Sequence, residues 1–162
     1  MPYSINPMFS HCSVRYRTKQ TVSWLSSRWA QMSNGILIAD DSATVRRIIR
    51  AYLVRRNFEV CGEAIDGVDA LEKATELEPA LILLDVRMPR MNGVEAASLL
   101  RTRLPNLRIV LLTMYDEVAN YKSLMAAIGV DAVVSKPSGF SGLADCVRGL
   151  LGPAPAPPAT HA

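Results

Sequence analysis

Three aspartates, a threonine and a lysine stand where apolar runs of this 162-residue chain give out. Asp40 and Asp41 follow Ile36 to Ala39, Asp85 follows Leu81 to Leu84, Thr113 follows Ile109 to Leu112, and Lys136 comes shortly after Ala132 to Val134. Carboxylates are hard oxygen donors of the kind Mg²⁺ takes, a few at a time and with several waters. A carboxylate can also attack phosphorus to give an aspartyl phosphate, while a cation neutralises charge and positioned donors hold the phosphoryl oxygens. Strand alternation cannot turn adjacent Asp40 and Asp41 both inward, so they are expected at the strand-to-loop transition. There they and Asp85 would repel one another and raise their pKa values unless a cation intervenes. The blander account of Asp40-Asp41-Ser42 is a helix N-cap serving the amides ahead of Val45. Asp85 at the matching end of another run favours chemistry, and the loop V-R-M-P-R-M-N-G that follows it is expected to expose the carboxylate at the sheet edge. Lys136 before Pro137 could alone be a solvated loop lysine, and Thr113 alone a strand terminus; their recurrence at four strand ends argues for one site.

The elements that must position these residues show in the hydrophobic pattern. From Asn34 onward, short apolar runs alternate with amphipathic segments of ten to fifteen residues, the pattern of repeated β-α units. Runs this apolar suit parallel strands buried on both faces, and ligands of such sheets gather outside the carboxyl ends of the strands. Helical stripes run through Val45, Ile48, Ile49, Tyr52 and Leu53, from Val118 to Ile128, and from Leu143 to Leu151, with weaker ones at Val68 to Thr75 and Val94 to Leu104. With Phe58 to Cys61 as a further strand, the expectation is five strands and five helices in a doubly wound α/β sheet.

Composition bounds what surrounds this unit. The 49% apolar residues suffice for one core without disulfides, and Cys12, Cys61 and Cys146 are odd in number and lack C-x-x-C spacing. Reduced thiols in a cytoplasmic setting are therefore expected, with Cys61 and Cys146 as core fillers. No run approaches the roughly 18 apolar residues of a membrane span. The net charge of +3 is uneven: Arg15, Arg17, Lys19 and Arg28 have no acid among residues 1–39, which leaves 14 basic against 15 acidic residues beyond. The near-neutral domain gives no bulk electrostatic reason to bind nucleic acid. Residues 1–33 are expected to be a disordered basic extension, with Met32 a usable start, and 152–162, G-P-A-P-A-P-P-A-T-H-A, a disordered Pro/Ala-rich tail. The folded unit is then 34–151.

The segments I-L-I-A-D-D-S, L-I-L-L-D-V-R-M-P-R-M-N-G, V-L-L-T-M and V-V-S-K-P together resemble the receiver domain of bacterial two-component response regulators, over about Asn34 to Leu151. The resemblance implies a flavodoxin-like (βα)5 fold with strand order 2-1-3-4-5. It implies that Asp85 is the phosphoacceptor, that Asp41, Asp85 and the backbone carbonyl of Arg87 ligate Mg²⁺, and that Asp40 acts mainly through water. Thr113 and Lys136 would contact the phosphoryl group, Lys136-Pro137 would be a cis peptide, and Arg87 and Tyr115 would flank the path of the hydrolytic water. The phrases around Asp85 and Thr113 resemble receivers that precede a helix-turn-helix, yet only eleven residues follow the last helical stripe. Two positions depart from the family pattern: Val133 stands where an aromatic residue is common, and Ser138, where a large apolar residue is common, would suit a cap of the last helix. The expectation is a switch phosphorylated by a sensor histidine kinase or phosphotransfer protein, signalling to a protein target and self-associating when phosphorylated. Beyond its own phosphorylation and dephosphorylation it would catalyse nothing. Two alternatives are a constitutive adaptor of the same fold and a fragment of a DNA-binding transcriptional regulator.

Overall fold

A computed structural model describes residues 35–114, 126–136, 140 and 142–152. Strand β1 (Ile36–Ala39) leads to helix α1 (Ala43–Val54), β2 (Val60–Ala64) to α2 (Gly67–Leu77), and β3 (Leu81–Asp85) to α3 (Gly93–Arg103). Strands β4 (Arg108–Thr113) and β5 (Ala132–Ser135) and helix α4 (Leu143–Leu151) follow. All neighbouring strands are parallel, in the order β2-β1-β3-β4-β5 that the family resemblance implies. Residues 126–128 are helical, and the rest of the stripe that begins at Val118 lies outside the described residues.

Side-chain alternation along the strands divides the core in two. Leu37, Ala39, Ile82, Leu84, Ile109 and Leu111 face α2 and α3, meeting Ala70, Leu71, Ala74, Ala96, Ala97 and Leu100. Ile36, Ile38, Leu81, Leu83, Val110 and Leu112 face α1 and α4, meeting Ile49, Leu53, Leu143 and Val147. The central strands therefore have no solvent side, which is why they are apolar without alternation. Burying each such Leu or Ile contributes about 1.5–3 kcal/mol. Cys61 and Cys146 are half-buried against these clusters, and burial pushes both thiols up, so they serve as packing groups.

Two local expectations need correction. The second strand begins at Val60, not Phe58, and runs on through Gly62 to Ala64. Asn57 adopts φ 63°, and the Phe58 amide turns back to donate to Leu53 O at 3.2 Å, so the chain is still leaving α1 where the apolar run begins. Ile48 is exposed, because Ile49 and Leu53 suffice to seat α1. The last helix starts after Gly142, which has no side chain to offer as a cap, and Ser138 lies outside the described residues.

Two glycines let helices start hard against the loop after β3. A Cβ on Gly93 would lie 2.1 Å from the Asp85 carbonyl oxygen, and one on Gly67 would lie 2.5 Å from that of Met91. Each follows a capping residue: Asn92 accepts from the Glu95 amide in a capping box, and Asp66 accepts from the Val68 and Asp69 amides. Helices α1, α2 and α3 all begin at the carboxyl end of the sheet, where their free amides and dipoles favour anions.

Candidate functional site

Strand register brings the singled-out residues together. Ala39 pairs with Leu84, and Asp85 pairs with Leu112, so Asp40 and Asp85 take the next rung on adjacent strands, with Thr113 one residue past Asp85's partner. Thr113 in turn pairs with Ser135, which places Lys136 immediately beyond. Asp40 is fully buried: its Oδ1 accepts the Ser42 amide at 2.8 Å and its Oδ2 accepts Lys136 Nζ at 2.7 Å. The same ammonium lies 2.7 Å from Asp85 Oδ1, so one lysine bridges two carboxylates from different strands. Asp41 is exposed, and oxygens of Asp40, Asp41 and Asp85 all lie within 4.8 Å of one another. Ser42, not either aspartate, is the N-cap of α1, accepting from the Val45 amide at 3.5 Å.

Asp85 is only 5% exposed, contrary to the expectation that its loop would leave it at the surface. The Val86 amide continues the ladder to Leu112 O, and Gly93 closes over the Asp85 carbonyl, so the turn folds back across the strand end. Burial raises the Asp85 carboxyl above the usual aspartate value, and nearby Asp40 adds to this; Lys136 and the Arg87 amide, which donates to the carboxylate, work the other way. For Lys136, burial alone would lower the pKa, but the hydrogen bonds to Asp40 and Asp85 prevail and hold it above the usual lysine value.

Supporting residues come from positions the sequence did not single out. Arg46 on α1 donates from Nη1 to the Asp40 carbonyl at 2.7 Å and from Nε to Glu63 at 3.2 Å, fixing the turn that presents both aspartates. Arg90, at φ 63°, pairs with buried Asp66. The Asp66-Gly67 pair ahead of a helical stripe was an available N-cap signal. Its partner, 24 residues away, was not legible. Tyr115 and the Lys136-Pro137 peptide lie outside the described residues.

The donor set suits a hard divalent cation: three carboxylates converge, and Lys136 bridges two of them, which leaves Asp41 as a further oxygen donor beside the pair. A doubly wound parallel sheet with an acidic site at its carboxyl edge defines the class of molecule. More narrowly, this chain belongs to the response regulator receiver domain family, whose sequence profile matches residues 36–148. The response regulator protein VraR of Staphylococcus saprophyticus is 41% identical over 115 residues, 70% of this chain and 54% of that protein. The chain thus spans about half the length of the curated relatives it matches. The receiver domain of AraT, a response regulator from Geobacillus stearothermophilus, is 33% identical with a TM-score of 0.66, covering 74% of this chain and 93% of that one. The response regulator TrrA from Thermotoga maritima, solved in complex with Mg²⁺ and BeF, is 30% identical with a TM-score of 0.65, covering 72% and 98%. Among the described residues no helix is long and apolar enough to cross a membrane.

Proposed function

We propose that the chain is a phosphorylatable switch of a two-component system that accepts a phosphoryl group on Asp85 from a histidine kinase or phosphotransfer protein in the cytoplasm and signals by protein contact. The observation that carries this reading is Lys136 Nζ, 2.7 Å from carboxylates of both Asp40 and Asp85. An Asp85 oxygen attacks phosphorus as the bond from phosphorus to the donor nitrogen breaks, and the imidazole leaves with the electron pair and takes up a proton. Lys136 already lies on Asp85 and needs to shift little to meet a phosphoryl oxygen, and Thr113, one residue past Asp85's partner Leu112, would offer its hydroxyl as a second donor. Asp41, Asp85 and the Arg87 carbonyl would hold Mg²⁺, which supplies charge neutralisation at the phosphoryl oxygens. Both Asp40 oxygens are engaged by Lys136 and the Ser42 amide, which supports a role for Asp40 through water. The Mg²⁺ and BeF bound by TrrA support the same assignment, BeF being a stand-in for a phosphoryl group.

Incubation with acetyl phosphate and Mg²⁺ should add about 80 Da, the mass of one phosphoryl group, to the intact protein. Asp85→Asn should abolish that gain, and Asp41→Ala should remove most Mg²⁺ affinity. A mass gain that survives at an aspartate of Asp85→Asn would show the site to be wrongly assigned.

A further inference from the structure

The loop between Asp85 and α3 is closed at its base, where the Gly93 amide donates to Val86 O at 3.0 Å. Its tip is held by another element. Arg90 Nε donates to Asp66 Oδ2 at 2.7 Å, Nη2 binds the same oxygen, and the Gly67 amide donates to Met91 O at 3.2 Å. Asp66 is buried at the start of α2, and its other oxygen is committed to the Val68 and Asp69 amides, so it is an immobile anchor. Both guanidinium nitrogens converge on that one oxygen, a charge-assisted contact to a carboxylate whose other oxygen is already taken. Arg90 adopts this grip from a left-handed backbone, φ 63°, which a non-glycine residue takes only when its surroundings compel it. Between anchor and strand lies Arg87, whose amide donates to the Asp85 carboxylate.

We propose that Arg90 is a positioning residue for the cation side of the site: gripping Asp66, it fixes loop 86–92 and with it the Arg87 peptide. Through its amide that peptide orients Asp85, and through its carbonyl it completes the oxygen set for Mg²⁺. The second half of this rests on the proposed function. A free loop would have to be ordered by each incoming cation, at the expense of affinity, whereas a loop already held against α2 presents its carbonyl in place.

The full-length protein titrated with MgCl₂ alone tests this, by calorimetry and by the Arg87 amide resonance. Arg90→Gly removes the guanidinium but suits the left-handed backbone; the melting temperature should fall, because buried Asp66 Oδ2 loses its partner, yet the domain stays folded while the Mg²⁺ dissociation constant rises about tenfold. Asp66→Asn keeps the helix cap and loses the ion pair, and should weaken Mg²⁺ similarly; the double variant should be no weaker than either. Wild-type Mg²⁺ affinity in Arg90→Gly, or additive losses in the double variant, would overturn the assignment. If the unmodified protein binds no Mg²⁺ while Arg90→Gly leaves the Arg87 resonance in place, the reading of the site falls along with it.

Discussion

Lys136 is the cation that makes two buried carboxylates tolerable on one rung of the sheet. Lys136→Met keeps most of the volume and removes the charge, and should cost about 3 kcal/mol in urea unfolding, because one partner of a buried pair is left uncompensated. Mg²⁺ should restore part of the loss by neutralising the same oxygens. In the unaltered protein the folded-state pKa of Lys136 lies above the ordinary 10.5, so its contribution is complete below that value and fades only as pH rises beyond it. The residues that converge at this edge were legible in the sequence because their types are unusual at the ends of apolar runs. Arg46 and Arg90 were not, since their partners Glu63 and Asp66 lie 17 and 24 residues away and only the fold brings them within reach.

Strand β2 is an edge strand, and ionic clips from both flanking helices fasten it. Glu63 accepts from Arg50 Nε at 2.6 Å and from Arg46 Nε at 3.2 Å, while Lys73 Nζ donates to the Glu63 carbonyl at 2.5 Å. The Arg50 hydrogen bond chiefly holds the Glu63 carboxyl below its usual value, with burial opposing and Arg46 assisting. A lowered carboxylate pKa stabilises the fold above the ordinary value of 4.5 and ceases to do so as pH falls through the folded-state value. Glu63→Gln should therefore lower stability by about 1 kcal/mol at neutral pH, a modest figure because these side chains are partly exposed, and thermal melts should converge with the parent in acid. The central strands were legible because burial on both faces leaves an uninterrupted apolar signature. At β2 that signature slipped by two residues, since Phe58 serves the end of α1 and Gly62 and Glu63 belong to the strand without being apolar.

At the scale of the molecule, the chain order of the strands and helices among the described residues followed from the alternating pattern, but the spatial order 2-1-3-4-5 came from family resemblance, because periodicity does not say which strands are neighbours. We expect residues 34–151 to be the self-sufficient unit, so a chain beginning at Met32 should melt and take up phosphate like the full one. A marked loss of stability would mean that Trp24 and Trp29 dock on the domain.

Gly67 and Gly93 carry a consequence for any survey of tolerated changes. In a library of all single substitutions sorted by phosphate uptake, both positions should score as severely as Asp85, although neither has a side chain to react. Sorting the same library by protein abundance should part them: Asp85→Asn keeps its shape and stays plentiful, whereas a methyl group forced against the carbonyl of Asp85 or Met91 depletes the folded protein. A position that screens like a reacting group by its intolerance would then prove to be the space in which the loop after β3 lies.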